Sequence, residues 1–137
     1  MNRQTLNLLL ECHVLGIVGL SPDPHKDSHK VGAYLQAQGY RIVPIYPKVD
    51  APILGQAVYV TLQEAHRAHP LDGVIVFRKS AAIMPLAQEF LSLTPLPKLF
   101  WMQLGVQNAQ ATQLLQEHGI GVVQDHCALI EHHRAQG

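Results

Sequence analysis

The chain is built around short apolar runs that show no polar–apolar alternation and end on turn-forming residues. Val14-Leu15-Gly16-Ile17-Val18-Gly19 is the first, and Asp72 to Phe77 and Leu99 to Gln103 follow the same form. A strand wet on one face alternates, whereas a strand covered on both faces stays apolar throughout. These runs therefore predict buried central strands of a parallel sheet.

Helical spacing fills the intervals. Leu6, Leu9 and Leu10 share a face in a short helix over Thr5 to Leu10. The loop Ser21-Pro22-Asp23-Pro24 blocks an immediate helix after the first strand. Ser28 is placed to cap a second helix containing Val31, Tyr34 and Leu35, with Gly39 as its stop. Tyr40 to Tyr46 reads as the next strand, halted by Pro47, and Ala57 to Val60 as a weaker one before a short helix over Leu62 to Ala68. Ser80 opens a helix over Ala81 to Leu91, where Pro85 lies deep enough to shift the boundary or distort the first turn. Asn108 caps a helix ending near Gly119, and Ile120 to Val123 supplies the last strand. Repeated strand–loop–helix units predict an α/β, three-layer Rossmann-like fold. Its mostly parallel sheet has five or six strands, with right-handed crossovers on both faces. Residues 1–137 are expected to form a single domain.

Composition narrows the function. Apolar residues make up 47% of the 137 positions and charged residues 15%, so the chain is not disordered. Ten basic residues balance ten acidic ones, and no nucleic-acid partner is expected from that balance. Nine histidines would make the molecule cationic in mild acid. Weak charge repulsion leaves homo-oligomerisation open. Two cysteines, Cys12 and Cys127, do not form a secreted disulfide framework. No apolar run approaches bilayer length and no signal-peptide pattern is present. The expectation is a cytoplasmic protein with no membrane partner.

Ligands of open parallel sheets bind beyond the carboxyl ends of the strands. Gly19-Leu20-Ser21-Pro22, Tyr46-Pro47-Lys48, Phe77-Arg78-Lys79-Ser80, Gln103-Leu104-Gly105 and Asp125-His126-Cys127 all fall there. Gly19 lets backbone approach a phosphate, Ser21 and Ser28 add hydroxyls, and Lys26 adds positive charge. Gly19 also fits a simple tight turn and Ser28 a simple helix cap. Gly16-Ile17-Val18-Gly19-Leu20-Ser21 is not the dinucleotide fingerprint, and no G-x-x-x-x-G-K-[ST] phosphate loop is present.

These stretches, together with Ser28-His29-Lys30-Val31, Tyr34 to Tyr40, Pro44 to Lys48, Trp101 to Val106 and Glu131-His132, carry a resemblance. The chain resembles the small stand-alone CoA-binding domain family, related to the nucleotide-binding domain of succinyl-CoA synthetase alpha subunits. The resemblance implies a crevice for CoA or an acyl-CoA as cofactor and small-molecule partner. It implies that Gly19, Leu20, Ser21, Lys26 and Ser28 meet the CoA phosphates. Tyr46, Pro47 and Lys48 would flank the adenosine, Phe77 and Arg78 the opposite side, and Gln103 and Gly105 the far wall. Lys26, Tyr46 and His126 stand where family members often carry Arg, Asn and Arg.

Three readings are compatible with these residues. Non-catalytic binding of CoA is first. An enzyme acting on a CoA-linked substrate, with Cys127 as its thiol, is second, and a regulatory or interaction scaffold with an altered crevice is third. Adjacent side chains do not ordinarily converge on one centre, so Asp125-His126-Cys127 is weak support for a catalytic set. His126, Cys127, His132 and His133 lack the spacing of known zinc motifs, and Glu131 and His132 can instead tether the last helix.

Overall fold

The computed structural model describes residues 1–48 and 50–136. Five strands form one fully parallel sheet: β1 (Val14–Val18), β2 (Arg41–Ile45), β3 (Gly73–Val76), β4 (Leu99–Met102) and β5 (Gly121–Val123). Their spatial order is β2-β1-β3-β4-β5. The helices are α1 (Arg3–Glu11), α2 (Asp27–Ala37), α3 (Leu62–Ala68), α4 (Ile83–Leu91), α5 (Ala109–Glu117) and α6 (Ala128–Gln136).

Two buried cores explain why the strand sequences do not alternate. Leu15, Ile17, Ile75, Leu99 and Trp101 pack with Leu9 of α1, Val31 and Leu35 of α2 and Ala128 of α6. Val18, Val74, Val76, Phe100 and Met102 point the other way, onto Leu62 of α3, Phe90 of α4 and Leu115 of α5. Successive side chains still leave opposite faces, but both faces are dry. The result is the three-layer Rossmann-like arrangement.

Three local features differ from what the sequence alone predicts. Ala57 to Val60 forms no separate strand; Tyr59 makes an isolated parallel bridge to Ile45, donating to Pro44 O at 3.0 Å and accepting from Tyr46 N at 2.9 Å. Pro44 has no N–H to donate, and a proline is tolerated in β2 because β2 is an edge strand. Ser28 does not cap α2. Lys26 holds that position without a side-chain cap, and Ser28 lies buried as the second residue of the helix. Ser80 opens a 3₁₀ turn over Ser80–Ala82, so α4 starts at Ile83 and Pro85 falls in its first turn, where a missing N–H costs nothing.

The order of strands reverses between β1 and β3: the chain steps outward to β2, then returns across β1 to build β3, β4 and β5. The loops after β1 and β3 consequently leave toward opposite faces, the arrangement beside which open α/β sheets bind ligands.

Candidate functional site

Gly19 occupies that switch point. Its φ is +84°, its N–H donates to Ile45 O at 2.8 Å, and a Cβ here would collide with the carbonyl oxygen of Phe77. Only glycine lets the end of β1 pass so close to the end of β3. Leu20 then turns inward and is fully buried.

The following loop is held by its own hydrogen bonds. Ser21 N donates to Ser28 Oγ at 3.0 Å, Asp23 N to Ser21 Oγ at 3.1 Å, and His25 N to Asp23 Oδ1 at 2.9 Å. That last bond, joined by the neighbouring His25 side chain, holds the Asp23 carboxyl below its ordinary pKa. Lys26 N reaches Asp23 O at 3.0 Å, and His29 Nδ1 lies 2.8 Å from Ser21 O. Lys26 supplies no side-chain oxygen to the first-turn amides of α2, and those N–H groups carry the positive end of the helix dipole. Asp27 adds one negative charge in the same turn.

The other sequence-selected residues lie around this loop on neighbouring strand ends. Tyr46 follows β2, half-buried, with Pro47 and Lys48 exposed beyond it. Phe77 N donates to Val18 O at 2.9 Å, and Arg78 is half-buried at the same strand end. Among the described residues the ion pairs are His25–Asp23 and Arg134–Glu131, so Lys26, Lys48 and Arg78 are engaged in none. Gln103 follows β4 and is almost wholly buried; its Oε1 accepts from Ala128 N at 2.8 Å and so caps α6. Gly105 is exposed at φ +81° and donates to Asp125 Oδ1 at 2.7 Å.

Cross-links between loops stiffen this end of the sheet. Ser80 Oγ accepts from Gln107 N at 3.0 Å, Asn108 Nδ2 reaches Ser80 O at 3.2 Å, and Asn108 N donates to Gln124 Oε1 at 2.8 Å. A cavity of about 350 Å³ lies between α2, the ends of β3 and β4, and α6. It unites Phe77 and Gln103 with Lys30, Val31, Cys127 and Leu129. The Tyr46-Pro47-Lys48 turn does not line it. The contribution of α6 had no signal in the strand-end pattern, because Leu129 and its neighbours follow the last loop rather than end a strand.

Asp125, His126 and Cys127 do not form a relay. Asp125, at φ +58°, uses its carboxylate on Gly105 N. His126 Nδ1 lies 2.7 Å from Gln124 O, and the His126 carbonyl accepts from Trp101 Nε1 at 2.8 Å. No group of three His, Cys, Asp or Glu side chains able to hold a metal occurs among the described residues. His132 does tether the last helix: it is buried, with Nδ1 2.8 Å from the Tyr34 hydroxyl of α2. No helix among the described residues is long and apolar enough to cross a membrane.

Comparison with known proteins agrees with this geometry. The Bacillus subtilis (strain 168) protein YneT is 39% identical over 118 residues, which cover 86% of this chain and 84% of YneT. The structure of cell-free ID.343 from Thermus thermophilus superposes with a TM-score of 0.88 at 34% identity, covering 98% of both chains. A hypothetical protein from Pyrococcus horikoshii OT3 gives a TM-score of 0.89 at 25% identity, covering 100% of this chain and 94% of its own. The CoA binding domain family matches residues 13–133, and the chain belongs to that family.

Proposed function

We propose that this protein binds CoA or an acyl-CoA, without catalysing a reaction on it, in the crevice at the carboxyl ends of the strands. The observation that carries this reading is the β1/β3 switch point. There Gly19 brings two strand ends together, and the Ser21–Ser28 hydrogen bond holds the next loop in front of the uncapped α2 amides. A preformed loop loses little conformational entropy when an anion docks on it.

In this reading the pyrophosphate sits against the first turn of α2, with Lys26 supplying charge as a point cation. Tyr46, Pro47 and Lys48 flank the adenosine, Tyr46 offering a ring face for stacking. Arg78 and Phe77 close the other side, and the arm of the ligand runs past Gln103 and Gly105. Each of these residues holds or orients the ligand, and none needs to exchange a proton with it.

Calorimetric titration of CoA into the purified protein tests the reading. Saturable binding to one site is expected, accompanied by a rise in Tm. A ligand at one hundred times its Kd stabilises the folded state by about 2.7 kcal/mol. Absence of heat and of any Tm shift at millimolar CoA overturns it.

A further inference from the structure

The cavity between α2 and α6 is apolar where a polar nucleotide crevice has no need to be. Val31, Phe77, Leu104, Leu129 and Ile130 line it, and Leu104 and Ile130 are 62% and 40% exposed. Large aliphatic side chains standing in water beside one cavity mark a surface that gains by being covered. The cavity adjoins the residues assigned to CoA, since Phe77 and Gln103 line it, and α2 supplies Asp27, Lys30 and Val31 to its wall just beyond the loop after β1.

Gln103 gives this cavity a defined polar point. Its amide orientation is settled by chemistry, since the Ala128 N–H needs an acceptor and therefore faces Oε1. The remaining Nε2 hydrogens have no acceptor among the described residues. This free donor at the cavity wall suits a carbonyl oxygen brought in by a ligand.

Building on the CoA-binding reading, we propose that this cavity receives the acyl chain of an acyl-CoA. Short to medium linear acyl thioesters, rather than free CoA, are then the preferred ligands. The hydrocarbon lies along Val31, Leu129 and Ile130, under Leu104, and the thioester carbonyl accepts from Gln103 Nε2. The thioester stays intact throughout.

Calorimetry with CoA, butyryl-CoA and hexanoyl-CoA tests this. Each methylene taken fully from water strengthens binding by about fourfold, so hexanoyl-CoA is expected to bind at least about tenfold more tightly than CoA. Ile130→Asp and, separately, Ile130→Ser should remove most of that gain and leave the affinity for CoA within about twofold, since Ile130 is on the surface and outside the residues assigned to CoA. Equal affinity for CoA and hexanoyl-CoA overturns the acyl assignment while leaving CoA binding intact. So does a gain that survives both substitutions. Failure of all three ligands to bind overturns the underlying reading and the acyl assignment with it.

Discussion

The two ends of the sheet are both concave, and each has a cysteine beside its cavity, yet their polar groups are used differently. At the amino end a cavity of about 300 Å³ is lined by Cys12, Pro70, Asp72, Leu96 and Lys98 among others. Asp72 Oδ2 accepts from both His13 N and Val14 N at 2.9 Å, and the Asp72 carbonyl accepts from Lys98 N at 2.9 Å. Burial, reinforced by Asp72 and Glu11, pushes the Cys12 thiol up to about 12, which keeps it protonated and unreactive at neutral pH. At the carboxyl end the first-turn amides of α2 lack a side-chain cap and Gln103 retains a donor. The cavities are of similar size, so volume does not tell them apart. What does is whether the polar groups are already spent on the fold.

The largest effect should come from Gly19→Ala. Its Cβ would meet backbone at a position that also requires positive φ, costing about 3 kcal/mol or more in a urea melt. Gly105→Ala shares the positive φ but meets nothing within 4 Å, so about 1 kcal/mol is expected. Equal costs would mean that the β1/β3 approach is not the constraint described here. Asp72→Ala leaves two N–H groups without their acceptor and should cost about 2 kcal/mol, with CoA affinity unchanged by calorimetry. Ser28→Ala is expected to cost only about 1 kcal/mol, but to weaken CoA roughly tenfold by releasing Ser21 N–H. If these two substitutions exchanged their effects on CoA, the contrast between the ends would be wrong.

The smallest effect concerns acid. Burial, aided by the charge of His133, lowers the pKa of His132, which packs between Tyr34 and Tyr40 on the α2–α6 side. The folded state therefore holds this ring neutral, while in the unfolded chain it takes up a proton as pH falls below about 6.5. Its contribution to stability is full above that pH and is lost as pH falls toward the folded value. Urea melts at pH 7.5 and 5.5 should show a smaller acid loss in His132→Gln than in the wild type, with CoA affinity equally insensitive to the change. An identical acid loss in both proteins would exclude His132 as its source.

Much of the architecture was legible because strand burial is written locally. The run Val14 to Val18 and the capped segment after Asn108 carry their own signals, and the structure has β1 and α5 there. Strand order was not legible, since it depends on which buried faces meet across the chain. Ser28 shows the same limit at the site. Serine before an apolar helical stripe is a good cap signal, but the Ser21 amide, seven residues earlier, claimed its hydroxyl instead. The cluster of strand-end loops was visible as a pattern. The apolar wall from α6 was not, because Leu129 and Ile130 acquire meaning only once α6 packs beside α2.

Amide hydrogen exchange with and without saturating CoA tests the contrast between the two ends most directly. Slowed exchange is expected in the loop and first turn from Gly19 to Lys30 and around Phe77-Arg78 and Gln103 to Gly105. The amides of Cys12, His13, Val14, Asp72 and Lys98 should be unaffected beyond any uniform global stabilisation. Protection centred on the amino-end residues, or no local protection at Gly19 to Lys30 with CoA bound, would contradict the assignment of the carboxyl-end crevice.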